Sequence, residues 1–248
     1  MRFETRDVAL PGLPPELDGL RIAHLSDFHL GVPGRTTHAV ETAVDWVDER
    51  QPDLTLVSGD LLTRARGEAT LRRLLPRLPN AYGILGNHDL AISRDPFVER
   101  TFLRDLSPMR LLSDEAVSVN VRGRTVSIAG ADPRSKWVKS RRRLCELAVP
   151  RDDADLRILI VHYPDLVDGL PPDAFDLIVS GHMHDGQICV PYPGGKLRLA
   201  HPRAPYWHGI YRTDAGVMHV SAGLGTTFVP FRFAARPEAT ELVLQGGT

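Results

Sequence analysis

Tyr82-Gly83-Ile84-Leu85-Gly86-Asn87-His88-Asp89 is the stretch on which the fold turns: an apolar run of strand length stops at an amide, an imidazole and a carboxylate in succession. A core strand gains nothing from burying such groups without partners, and ordinary strand ends finish in glycine, proline or serine turns. The same design recurs four times. Residues 22–25 precede Ser26-Asp27-Phe28-His29, and residues 54–57 precede Ser58-Gly59-Asp60. Residues 158–161 precede His162, and residues 177–179 precede Ser180-Gly181-His182-Met183-His184. Strand ends at one edge of an α/β sheet converge in space, so five such runs imply one shared site.

Between the ligand-bearing runs lie helical patterns. Ala39, Val40, Ala43, Val44 and Val47 recur at helical spacing over residues 36–50, before Pro52, and Leu71, Leu74, Leu75 and Leu78 do so over residues 68–78. A further helix is expected over 97–105. The pattern then turns to β: residues 116–121 and 125–131 flank an Arg122-Gly123-Arg124 turn and read as a hairpin. A helix over 136–149 carries Arg141-Arg142-Arg143, which is either a solvated face or an anion site. Residues 2–10 read as an edge strand, 191–208 as a long loop at the mouth of the site, and 217–222 and 241–244 as strands completing a second sheet.

The 248 residues suffice for one domain, residues 1–248, with a sizeable core, and a formal net charge of −1 gives no extended nucleic-acid surface. Cys145 and Cys189 are too few for a disulfide framework and read as small buried side chains in a reducing compartment. No segment reaches the ~18 apolar residues of a membrane span. The expectation is a soluble, cytoplasmic chain whose membrane contact, if any, is peripheral. No Gly-x-Gly-x-x-Gly or Walker motif calls for a nucleotide cofactor, and no Gly-x-Ser-x-Gly elbow supports a serine hydrolase. Gly223-Leu224-Gly225-Thr226-Thr227 reads as a tight turn.

The ordered set Asp-x-His, Gly-Asp, Gly-Asn-His-Asp, His and Gly-His-x-His resembles the calcineurin-like metallophosphoesterase superfamily over nearly the whole chain. Residues 19–22, 25–27, 180–188 and 223–226 are similar to its branch of YkuE-like bacterial phosphodiesterases. The resemblance implies a four-layer α/β/β/α sandwich with two mixed sheets. It implies two divalent metal ions, manganese first with iron or zinc as alternatives. The first would take Asp27, His29, Asp60 and His184, and the second Asp60, Asn87, His162 and His182. A water shared by the ions would attack phosphorus, its pKa lowered towards ~7. His88 would be the general acid, with Asp89 holding its ring and raising its pKa. It places the Gly223–Thr227 turn near the site.

The substrate class that follows is a phosphate ester, small or carrying a lipid headgroup, with diesters preferred over monoesters. A pyrophosphatase acting on a UDP-linked diacyl sugar and a catalytically silent scaffold of the same fold are the alternatives. Asp185 stands where that branch has glycine and would add a carboxylate at the metal rim. His201 and His208 either line the substrate pocket or belong to an ordinary loop, and His24, His38 and His219 read as plain core or surface histidines.

Overall fold

The computed structural model describes residues 1–136, 141–148, 154–200 and 202–247. Strand ends from two sheets supply the frame of the site. β1 (Arg2–Pro11), β2 (Arg21–Leu25), β3 (Leu54–Val57), β4 (Ala81–Gly83) and β5 (Arg110–Leu111) belong to one six-stranded sheet. A second sheet holds β6 (Glu115–Val121), β7 (Arg124–Gly130), β8 (Leu156–Val161) and β9 (Leu177–Ser180). β10 (Cys189–Tyr192) and β11 (Gly195–Arg198) form a separate ribbon, followed by β12 (Gly209–Thr213), β13 (Gly216–Val220) and β14 (Glu238–Gly247).

The first sheet runs β1-β14-β2-β3-β4-β5 and the second β12-β13-β9-β8-β7-β6. Both are mixed: β14 is antiparallel to β2 but parallel to β1, and the β6–β7 and β12–β13 hairpins flank the parallel trio β7, β8, β9. One apolar cluster joins Ile22, Leu56 and Leu242 of the first sheet to Ile128, Ile158 and Leu177 of the second, so the sheets pack face to face. α1 (Thr36–Arg50) and α2 (Glu68–Leu74) cover the outer face of the first sheet through Val40, Val44, Leu71 and Leu74. α3 (Arg141–Leu147) and the short turn Pro164–Gly169 cover the other through Leu144, Leu166 and Val167. The expected α/β/β/α order is observed.

Several expectations are corrected. The last strand belongs to the first sheet, inserted between β1 and β2, and does not complete the second. α2 stops at Leu74 because Pro76 lacks an amide proton and its ring crowds the carbonyl four residues back; residues 75–77 tighten into a single 3-10 turn. The helix expected over 97–105 is absent: Glu99 donates its amide to Thr63 O at 2.8 Å, a partner on another loop. The loop expected over 191–208 is interrupted by the β10–β11 ribbon. Cys145 is exposed, whereas Cys189 is buried as expected. The Arg141-Arg142-Arg143 side chains and Trp137 lie outside the described residues.

Candidate metal centre

Each parallel strand ends where a motif begins. β2 leads to Asp27 and His29, β3 to Asp60, β4 to Asn87 and His88, β8 to His162, and β9 to His182 and His184. Asp27, His29, Asp60, His182 and His184 all adopt positive φ, between 46° and 70°. Left-handed backbone costs a non-glycine residue of order 1–3 kcal/mol, and five instances at one edge mark a site held in place by its surroundings. The motif glycines have a steric reason: a Cβ on Gly86 would collide with the Asp60 carboxylate, and one on Gly181 with Ser26 Oγ.

The side chains form two contiguous clusters. In the first, His184 Nε2 is 3.3 Å from Asp27 Oδ1 and 3.1 Å from His29 Nε2. In the second, His162 Nε2 is 2.7 Å from Asn87 Oδ1, and His182 groups with His162 and Asp60. Asp60 Oδ2 lies between the two, 3.5 Å from His29 Nε2 and 3.4 Å from His162 Nε2. All seven residues singled out from the sequence as ligands meet here, and all but His182 are buried. Donors each about 2.1 Å from one cation stand roughly 3 Å apart, which is the spacing found.

The proton inventory tests the fit of a cation. Ser58 O can only accept, so His162 donates from Nδ1 at 2.8 Å, and in the neutral ring Nε2 keeps a lone pair. That lone pair faces Asn87 Oδ1 and Asp60 Oδ2, and three acceptors on one point require a positive charge among them. Burial opposes a charged imidazole, yet Asp60 and Asp27 outweigh it and lift His162 to about 9. A proton or a metal ion serves there. Burial alone would raise Asp27, but His184 and His29 hold its carboxyl well below the usual range.

A second chain of bonds sets His29. Thr227 Oγ1 donates to Asp95 Oδ2 at 2.8 Å, so it accepts from His88 Nε2 at 3.2 Å, a proton it shares with Ser93 Oγ at 3.0 Å. His88 Nδ1 then accepts from Thr63 Oγ1 at 3.1 Å, and Thr63 accepts from His29 Nδ1 at 2.9 Å. His29 Nε2 is left with a lone pair aimed into the cluster, as a ligand requires. His184 is set differently: Arg232 donates to its Nδ1 at 3.0 Å, leaving the ring proton on Nε2, which a cation bound there displaces. Arg232 is half-buried and otherwise donates to the carbonyls of Ala222 and Gly225 at 2.8 Å and of His184 at 3.2 Å. Burial pulls it down to about 10.

Asp89 does not hold the His88 ring. Its oxygens accept from the amides of Gly86, Leu61 and Leu62 at 2.8–3.1 Å, tying the β4 loop to the β3 loop. Burial and the nearby Asp60 raise it to about 7, against those three amides. His88 likewise moves opposite to expectation: burial lowers it to about 4, more than Asp60 and Asp95 restore. Asp185 is buried away from the clusters, paired with Lys196 and with Arg198 at 3.1 Å. His208 bonds Glu238 at 2.8 Å, so it reads as an ordinary pair, and His201 lies outside the described residues. The sequence reading missed Thr63, Thr227, Asp95 and Arg232. Only the Gly223–Thr227 turn gave a local signal, and it does bring Thr227 onto His88.

A buried set of aspartates and imidazoles at the ends of parallel strands defines a metal-dependent hydrolase. The chain belongs to the calcineurin-like phosphoesterase family, whose model matches residues 20–186, and is accordingly a metal-dependent phosphoesterase. It is 29% identical to the uncharacterized metallophosphoesterase YkuE of Bacillus subtilis (strain 168), with 94% of this chain and 82% of that protein covered. It is 27% identical to YkoQ of the same organism over 92% and 84% of the two chains. It is also 31% identical to a Danio rerio transmembrane protein with a metallophosphoesterase domain, covering 96% of this chain but 56% of that one.

Proposed function

We propose that this chain hydrolyses phosphodiesters with two divalent cations, manganese first, held by the two clusters. The observation that carries the reading is Asp60: one carboxylate oxygen stands within 3.5 Å of a histidine from each cluster, so a single side chain serves both. Asp27, His29 and His184 would hold one ion with Asp60, and Asn87, His162 and His182 the other. Bound there, the pair supplies Lewis acidity towards a phosphoryl oxygen and an acidified water.

The rest is done by the chain. Neutral imidazoles and the Asn87 amide add no negative charge, so a site with only two carboxylates stays attractive to an anionic ester. His88 carries its proton on Nε2 in the neutral ring, 4.0 Å from Asp60 Oδ2, and presents it to the leaving oxygen. Thr227 and Thr63 hold that tautomer. Asp89 keeps the two ligand loops in register.

Paired nitrophenyl mono- and diesters, assayed with manganese-loaded protein, test the reading. Faster diester turnover supports it. Equal or faster monoester turnover removes the diester preference, and metal binding without turnover of either ester leaves the silent scaffold.

A further inference from the structure

Six of the eight phenylalanines are exposed, and only Phe28 and Phe175 enter the core. Phenylalanine is among the residues most often buried, so this inversion calls for a cause. Five of the six lie on two segments beside the metal centre. Phe97 and Phe102 follow the His88 loop and are 48% and 70% exposed; Phe228, Phe231 and Phe233 precede β14 and are 52–56% exposed.

These segments are fastened to the catalytic edge. The Phe228 amide donates to Asp95 at 2.8 Å, and Thr227 beside it bonds both Asp95 and His88. Phe97 and Phe228 share an apolar cavity of about 110 Å³ with Val32, Pro33, Val229 and Pro230, bordered by Asp95. Apolar surface therefore begins one residue from the His88 partner.

Charge on the same rim is one-sided. Over residues 31–37, 64–67, 91–105 and 226–237, six arginines are exposed: Arg35, Arg66, Arg94, Arg100, Arg104 and Arg236. Only two carboxylates are exposed there, Glu99 and Asp105. Six less two gives a local excess of four positive charges in a chain whose formal net charge is −1. Arg64 lies over the Phe97 ring at 5.5 Å and Arg100 over Phe102 at 5.3 Å.

We infer that this rim docks the protein on an anionic lipid bilayer, with the phenylalanines entering the headgroup boundary and the arginines meeting lipid phosphates. Exposed aromatic side chains on separate loops, interleaved with guanidinium groups, match a fluid negatively charged surface. Docked so, the segment that holds Thr227 on His88 lies against the membrane, and the esters the centre receives are lipid phosphoesters presented from that surface. The docking stands on the rim alone; only the lipid substrate rests on the phosphoesterase reading above.

Cosedimentation of the full manganese-loaded chain with phosphatidylglycerol vesicles and with phosphatidylcholine vesicles tests the docking. Binding to the former should exceed binding to the latter by about tenfold or more and weaken with added salt. A Phe97→Ser/Phe228→Ser/Phe231→Ser variant should lose about tenfold in vesicle binding while hydrolysing soluble nitrophenyl diester within about twofold of the parent. An Arg94→Glu/Arg100→Glu variant should lose the preference for phosphatidylglycerol. Wild-type protein that ignores both vesicles, or a serine variant that still binds them, overturns the docking. So does lipid-free dimerisation that the serine variant abolishes, which would assign the patch to a second copy of this chain. Docking with soluble diester turnover but no release of product from vesicles overturns only the lipid substrate. Absence of turnover on the soluble ester as well strikes the phosphoesterase reading and leaves the docking intact.

Discussion

His24 Nδ1 and His219 Nδ1 lie 2.7 Å apart, fully buried between the two sheets. The direction of that bond follows from its neighbours. Ser26 Oγ donates to Asp27 at 2.5 Å and Ser58 Oγ donates to Ser26 at 2.8 Å, so Ser58 must accept from His24 Nε2 at 2.9 Å. His24 Nδ1 is then the acceptor and His219 the donor, and every proton in the chain points towards Asp27. Burial keeps both rings neutral: it lowers His24 to about 3 and His219 well below its usual value.

Removing His24 strands a donor on His219 and leaves Ser58 without one. His24→Leu should therefore destabilise the fold by about 2–4 kcal/mol in urea denaturation. The double variant His24→Leu/His219→Leu should cost less than the sum of the single changes, because it removes both polar partners together. Strict additivity would show that the two rings do not interact.

Asp60→Asn should lower occupancy of both ions together, measured by elemental analysis of dialysed protein. Loss of only one ion would show that Asp60 does not serve both clusters.

His88→Ala should retain metal and lose about 10²-fold or more in turnover. Thr227→Val removes one of two hydroxyls on His88 Nε2 and leaves Ser93 Oγ at 3.0 Å, so it should cost about threefold, and Ser93→Ala/Thr227→Val roughly tenfold, with metal content unchanged. Turnover equal to wild type in His88→Ala would take this residue out of the mechanism.

Asp89→Ala separates scaffolding from chemistry. Three backbone amides lose a buried acceptor, so unfolding stability should fall by about 2–4 kcal/mol at neutral pH. A variant of unchanged stability but abolished turnover would return Asp89 to a direct role.

Chelation should lower the melting temperature as well as activity, since ions bind only the assembled clusters. At a metal concentration of 100 times Kd, the stabilisation lost is about 2.7 kcal/mol. An unaltered melting temperature after verified metal removal would contradict preassembled clusters.

The convergence of the candidate ligands was legible because each follows the end of an apolar run, and a buried strand announces its end sharply. What held those side chains in place was not. Thr63, Thr227 and Arg232 are ordinary residues on loops, and only tertiary contact gives them a partner. The pairing of Asp89 was hidden for the same reason: sequence adjacency to His88 suggests contact, but consecutive side chains diverge, and two of its three partners are main-chain amides 27 and 28 residues away. The placement of β14 failed because alternation reveals which face of a strand is buried but not which sheet receives it. The non-helical course of 97–105 was hidden likewise, since its backbone partner lies on the β3 loop.

The position of β14 has a consequence for biosynthesis. β1 pairs with it over ten positions, Arg2↔Glu238 to Pro11↔Gly247, and has no other neighbour in the sheet. β1 precedes every other described strand and β14 follows them all, so the hydrogen bonds between the two close only after the intervening strands have been made. Val8 and Leu10, buried in the finished molecule, stay uncovered until then, and loss of β14 would leave the edge of β2 open to pairing with another molecule.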